Sequence, residues 1–458
     1  MSEPQSPGPA APAALPRPRP LHARLLLALL ALAAAALYLP GLDRVRASIW
    51  DEAYYLSTSA RYAAGQAHFA AHPPLGTMLI AVGTVLVADN DRVDWKPLGA
   101  ERAVADKVMP KDFDWGGMRI LPALFGVACI VLFGALLLEL TGSLVATALF
   151  SALLLFDTAI AVQIRSAQLD AFQLAFVIGA LWALVRAWRT GSYVALFAFG
   201  ALVMAAALVR ANALILGALA VPILWRQVAA RDWAALWRTC LAGGLGALLA
   251  LGLTLTANLA ATPNPPDPAT EMGRMDLPFF SPEQRAAQAR GALDPARYPA
   301  AARDIVAFMQ HDLAIMPPTD AHGSRPWEWL LGRGLIAYRS DVDVSPPWAI
   351  GLIPNAVVWL IALAGVVACA FPGRLRNDPL RALLLGGWLI TLGALLALDG
   401  SRVLYLYHYF IPLLFGLALA AREWSSARLG WRPALVVAVL AGAYGALRLP
   451  IALGLPTG

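Results

Sequence analysis

Cysteine is almost missing from these 458 residues: there are three, Cys129, Cys240 and Cys369, each in or beside an apolar run. So few thiols, so placed, exclude a disulfide framework and a cysteine metal cluster, and effectively exclude redox chemistry. Charge is scarce too, with 14% Asp, Glu, Lys and Arg against 59% hydrophobic residues and a mean hydropathy of +0.63. Water alone would not keep such a chain in solution, so the composition predicts an integral membrane protein. The sequence has no internal repeat and no glycine-rich phosphate loop, which argues against a nucleotide-driven pump. The formal charge of +6 does not imply nucleic-acid binding, because in a membrane protein excess arginine reports orientation first.

The first twenty residues carry seven prolines among Ser, Gly and Ala, and residues 1–24 are expected to form a disordered cytoplasmic tail. Eleven apolar runs then suit a hydrocarbon core about 30 Å thick. They cover 25–42, 120–140, 144–162, 169–185, 192–209, 211–225, 241–261, 348–371, 382–398, 403–421 and 434–447. The expected fold class is therefore an all-α polytopic membrane protein. Residues 25–261 make an N-terminal membrane module containing a first hydrophilic segment, 43–119; a second such segment, 262–347, precedes the C-terminal helices of 348–458.

Arginine sets the orientation. Eleven arginines, from Arg186 to Arg432, fall in four alternate loops, while the opposite short loops hold only Arg165, Arg210 and Arg402. The positive-inside rule places the N-terminus in the cytoplasm, the C-terminus outside, and both hydrophilic segments on the exoplasmic side. The apolar segment 75–88 is short for a span, and letting it cross would turn all eleven arginines outward, so it is expected to be interfacial or re-entrant. Five of the six histidines, His68, His72, His311, His322 and His408, fall on the exoplasmic side of this arrangement.

Just after the first run the chain reads SIWDEAYYLSTSARYAAGQAHFAAHPPLG. Asp51 and Glu52 stand side by side at the expected membrane surface, where partial desolvation makes a carboxylate a stronger base. The same pair could cap the following helix. Two prolines after His72 fix an extended stop and hold that histidine at a defined depth. His68 and His72 are four apart but are followed by Pro73 and Pro74, so they do not form a helical metal-ligand pair, and no metal site is expected.

These blocks resemble the protein O-mannosyltransferase family, membrane enzymes of the GT-C class. The resemblance rests on Asp51-Glu52, His72 to Gly76, Arg119 in MRILPALFG, and Asp157, Arg165, Leu169 and Asp170 in FDTAIAVQIRSAQLD. It continues through His311, His322, Ser324 to Trp327 and Trp329, and through Tyr407 to Tyr409 and Pro412. It departs at Thr77, where the family commonly has lysine. At 86 residues, the segment 262–347 is also too short for the β-trefoil domain of eukaryotic members, which implies a compact prokaryotic form in a bacterial plasma membrane.

The resemblance implies inverting transfer of mannose, or a related hexose, from a polyprenyl-phosphate carrier to Ser or Thr hydroxyls of exported proteins. Asp51 is then the general base, and Glu52 orients the acceptor or shares the proton. Arg119 is the first candidate for the donor phosphate, with Arg165, Arg402 and His408 each able to complete an anion site, and His72 is a further expected substrate-binding residue. Asp157 and Asp170 are expected either to pair with Arg165 or to position the sugar or that arginine. Trp327 and Trp329 are interface residues or a stacking platform. No cofactor is implied; the partners are the lipid-linked donor, a protein acceptor, membrane lipid and, as family members often pair, a homo- or hetero-dimer. Two alternatives stay open: a GT-C enzyme that glycosylates a lipid or cell-envelope glycan, and a polytopic lipid transporter.

Overall fold

Pro20 sets the first boundary. The computed structural model describes residues 18–87, 90, 92–291, 294–341, 347–376 and 378–456. Residues 1–17 of the expected tail lie outside it. Helix α1 (Pro20–Tyr38) starts ahead of the apolar run, because proline at the first helical turn lacks only an N–H that would have no partner anyway. The tail therefore ends before residue 24.

The next elements are α2 (Glu52–Ala63), α3 (Pro74–Val82, continued by a π-helical turn, Gly83–Val87) and α4 (Trp115–Thr141). Then follow α5 (Leu144–Leu155), α6 (Thr158–Arg165), α7 (Asp170–Thr190) and α8 (Tyr193–Val209). A 3₁₀ run, Ala211–Ala220, leads into α9 (Val221–Ala229), and α10 (Trp233–Ala261) closes the N-terminal module. The second hydrophilic segment folds as α11 (Glu271–Asp276), α12 (Pro282–Arg290), α13 (Arg297–Ile315), α14 (Pro326–Trp329) and the strands β1 (Ile336–Asp341) and β2 (Trp348–Leu352). Last come α15 (Ala356–Cys369), α16 (Pro372–Arg376), α17 (Pro379–Leu398), α18 (Phe410–Ser426) and α19 (Trp431–Leu453).

This is a multi-pass integral membrane protein whose described residues are mostly helical and include one β-hairpin. Seven helical segments among the described residues are long and apolar enough to cross a membrane, and α5 with α6 makes an eighth if that pair, bent by 63°, is one span. The expected count of eleven is not reached by length and composition. Each of the eleven runs does hold helix, but α8, α15 and α18 are only 17, 14 and 17 residues long. The run 348–371 begins as β2 because Pro354 interrupts it, and α15 starts only after Asn355. Val403 to Tyr405 is likewise non-helical, and a 3₁₀ turn, Leu406–Tyr409, carries the chain into α18.

The bend between α5 and α6 has a polar cause. Asp157 caps α6 through the Ile160 N–H (2.9 Å) and accepts from Trp359 Nε1 (2.7 Å) and the Asn355 N–H (3.3 Å). A buried carboxylate held by three donors ties the broken helix to α15, and it does not pair with Arg165 as expected.

Helix α4 separates two ends of the bundle. Near its C-terminus Glu139 meets Arg186 (3.3 Å) and Arg189 (3.2 Å), and Arg422 bonds the Leu140 carbonyl and Asp378. Near its N-terminus the two hydrophilic segments pack on each other through Arg61–Asp276 (2.9 Å) and a backbone pair between Gly65–Ala67 and Asn264. Arginine-rich loops and hydrophilic segments thus occupy opposite ends.

Candidate active site

A cavity of about 500 Å³ opens between those two segments and the start of α18. Asp51 lies on its wall, immediately before α2. Its backbone carbonyl accepts the Tyr54 and Tyr55 N–H groups, but its carboxylate makes no capping bond. The side chain is thereby left to face the cavity instead of closing the helix. Burial pushes the Asp51 carboxyl up to about 6, an effect opposed by nearby Arg210 and reinforced by Asp170. At neutral pH it is ionised yet basic enough to take a hydroxyl proton.

Arg210, Arg402, His72 and His408 line the same cavity. Arg210 follows the last residue of α8, donates to Asp170 (3.0 Å), and sits 5.2 Å over the Tyr407 ring. Its buried Nε, like that of Arg402, has no hydrogen-bond partner among the described residues. Burial, with Arg210, His408 and Arg402 adding to it, holds His72 well below 6.5, so the ring is neutral. His408 Nδ1 lies 3.0 Å from the Tyr405 nitrogen and 2.9 Å from the Tyr405 oxygen. Two guanidinium groups with unused donors therefore line the same cavity as the Asp51 carboxylate, an arrangement suited to holding an anion beside a hydroxyl.

Other expected site residues do not meet there. Glu52 is fully buried and takes a bidentate grip from Arg119, at 2.8 Å to Nε and 2.7 Å to Nη2. It also accepts the Ile49 N–H (2.8 Å) and the Ala167 N–H (2.7 Å). Arg119 spends its remaining donors on the carbonyls of Leu42, Val45 and Ala47. With 1% of its surface exposed and each nitrogen bonded, Arg119 has nothing left for a donor phosphate; it fastens the 42–52 loop to α4. Glu52, saturated in the same way, is not placed to hold an acceptor.

Arg165 donates to the carbonyls of Leu37, Tyr38 and Pro40, closing the C-terminal end of α1. Asp170 pairs with Arg210 instead of Arg165 and accepts a second bond from Gln163 Nε2 (3.0 Å), so it holds one of the cavity's arginines in place. Trp329 is fully buried with its indole N–H on Ser324 Oγ (2.8 Å), which rules out an open stacking platform, whereas Trp327 is exposed. His68 contacts the Gln66 carbonyl and the Tyr62 ring instead of joining His72. No group of three or more potential metal ligands occurs among the described residues. Among the cavity residues that the motif reading left out, Arg210 had a signal: an arginine between two apolar runs on the arginine-poor side.

With this geometry in view, the sequence comparisons point to one family and the structural comparisons to one fold. The profile described as Dolichyl-phosphate-mannose-protein mannosyltransferase matches residues 26–257. Dolichyl-phosphate-mannose--protein mannosyltransferase 3 of Saccharomyces cerevisiae is 27% identical over 138 residues, which is 30% of this chain and only 17% of the yeast protein. The structure of the S. cerevisiae protein O-mannosyltransferase Pmt1-Pmt2 complex bound to the sugar donor superposes with a TM-score of 0.77 at 13% identity, covering 95% of this chain and 90% of that one. An Archaeoglobus fulgidus oligosaccharyltransferase in the apo form gives a TM-score of 0.50 at 12% identity, covering 95% of this chain and 56% of the other. The fold is a GT-C-like membrane bundle.

Proposed function

The chain belongs to the dolichyl-phosphate-mannose–protein mannosyltransferase family, and we propose that it moves mannose from a polyprenyl-phosphate carrier to Ser or Thr hydroxyls of exported proteins. The observation that carries this is the shared cavity, which Asp51, Arg210 and Arg402 line together. In a single displacement the acceptor oxygen attacks the anomeric carbon, the bond from that carbon to the phosphate oxygen breaks, and polyprenyl phosphate departs. Asp51 takes the acceptor proton, and inversion follows from one base acting without a covalent intermediate. Arg210 and Arg402 stabilise charge as it builds on the leaving phosphate, where preorganised donors contribute most. Neutral His72 adds hydrogen bonding without repelling either arginine. The catalytic end is exoplasmic and the arginine-rich end cytoplasmic, in keeping with the positive-inside distribution. No cofactor enters this scheme, and pairing with a second mannosyltransferase subunit is part of the proposal.

The test is label transfer from polyprenyl-phosphate-[14C]mannose in membranes carrying wild type or Asp51→Asn, with products separated into protein and lipid fractions. Label in protein that disappears with Asp51→Asn is the expected result. Asp51-dependent label in lipid or glycan would change the acceptor, and transfer that survives the substitution would remove Asp51 as the base.

A further inference from the structure

Trp50, immediately before the base, has φ 54°, a left-handed backbone that a bulky side chain rarely adopts. Its neighbours are pinned. Ser48 bonds Asp106 through its N–H (3.0 Å), and the Ile49 carbonyl accepts from Gln168 Nε2 (3.0 Å). Such a conformation persists only where the surroundings over-determine it. The indole is clamped by rings from the C-terminal half: stacked on Tyr338 (5.0 Å, 27°) and edge-on to His322 (5.3 Å) and Tyr405 (5.6 Å).

Tyr338 has a second attachment. Its hydroxyl donates to Gln163 Oε1 (2.9 Å), Gln163 Nε2 donates to Asp170 (3.0 Å), and the same Asp170 oxygen accepts from Arg210 (3.0 Å). Burial holds the phenol well above 10, so it remains the proton donor that opens this chain. The hairpin register explains why one residue reaches both ways. Ala337 pairs with Gly351 and Arg339 with Ile350, so Tyr338 is the extra, bulged residue of β1, and bulges re-aim side chains beside active sites.

We propose that Tyr338 is a positioning residue that sets both halves of the reaction centre: its ring holds Trp50 and hence the direction of Asp51, while its hydroxyl holds Gln163, Asp170 and hence Arg210. The proposal rests on Asp51 as base and Arg210 as phosphate ligand, and it divides into two arms. Loss of the ring contact displaces the base and reduces turnover. Loss of the hydroxyl loosens the arginine and reduces donor binding as well as turnover.

Steady-state transfer with varied donor tests this on Tyr338→Phe, Trp50→Leu, Trp50→Phe and Asp51→Asn in the full-length protein in membranes. Tyr338→Phe keeps the ring and should raise the donor KM by about 3- to 10-fold, with a fall in kcat of similar size because Arg210 also meets the charge building on the leaving phosphate. Trp50→Leu should lower kcat by about 100-fold at near-normal donor KM, the scale of a base displaced by roughly 1 Å, and Trp50→Phe should recover most of it. Normal donor KM in Tyr338→Phe, or equal losses in kcat and donor binding in Trp50→Leu, would overturn the proposal. Full turnover by Asp51→Asn would overturn the reading of the site itself, whereas an inactive Asp51→Asn beside silent Tyr338→Phe and Trp50→Leu would overturn only the positioning role.

Discussion

Two buried arginine–carboxylate pairs stand at the same end of this molecule and have opposite characters. Arg119 and Glu52 satisfy each other and the surrounding backbone completely, with each guanidinium nitrogen and both carboxylate oxygens bonded. Arg210 and Asp170 share one 3.0 Å bond, and on the wall of the cavity Arg210 keeps a buried Nε without a partner among the described residues. The first pair is a fastener. The second is incomplete, and a phosphate oxygen would complete it. A saturated ion pair holds a fold together, whereas an arginine with spare donors in a cavity it shares with a carboxylate is equipped for an anionic ligand.

Breaking the fastener should have the largest effect. Arg119→Ala leaves the Glu52 carboxylate charged and buried, which costs about 3–5 kcal/mol. Loss of folded protein from detergent extracts, seen by size-exclusion profile and thermal melt, is the expected outcome; a stable, monodisperse Arg119→Ala protein would break the comparison. Arg210→Ala strands buried Asp170 with only its Gln163 bond, so it should also lower the melt, though less than Arg119→Ala does, because Asp170 makes fewer bonds than Glu52. Transfer by the folded protein should fall by about 1,000-fold, the scale of a lost transition-state donor, and the distinguishing readout is a protein that stays folded yet inactive.

A smaller effect concerns pH. The Asp51 carboxyl is raised to about 6, so its basic form is complete above that pH and is lost as pH falls through it. Transfer should therefore decline about tenfold per unit below pH 6, the limiting slope for a single protonation. Arg210 draws that carboxyl downward, so the acid limb of the residual activity in Arg210→Ala should lie at higher pH than in wild type. An acid limb near pH 4 would contradict the buried setting of Asp51. The smallest effect expected is that of cysteine: among the three, only Cys240 is exposed, so Cys240→Ala should change transfer by less than about twofold.

The sequence made the membrane helices legible because a long apolar run has few other uses. It concealed what a single polar residue does within such a run. Asp157 bends one span and Pro354 delays another, and neither changes the hydrophobicity of its neighbourhood much. In the site, Asp51, His72, Arg402 and His408 were identifiable as ionisable or hydrogen-bonding groups near the expected surface, and the structure gathers them in one cavity. The roles of Arg119 and Arg210 were not separable in the same way. Both are arginines beside helix termini, and only the fold decides which has its donors consumed by carbonyls of the 42–47 loop. Trp329 shows the same limit: its burial depends on how α14 packs against Tyr409 and Ser324, which no local pattern records.

The most direct test is equilibrium binding of polyprenyl phosphate, without sugar, to purified wild type, Asp51→Asn, Arg210→Ala and Arg119→Lys. Wild type and Asp51→Asn should bind comparably, Arg210→Ala should lose most of its affinity, and the Arg119→Lys protein that remains folded should bind as wild type does. Undiminished binding by Arg210→Ala together with loss in folded Arg119→Lys would exchange the two roles and contradict the account.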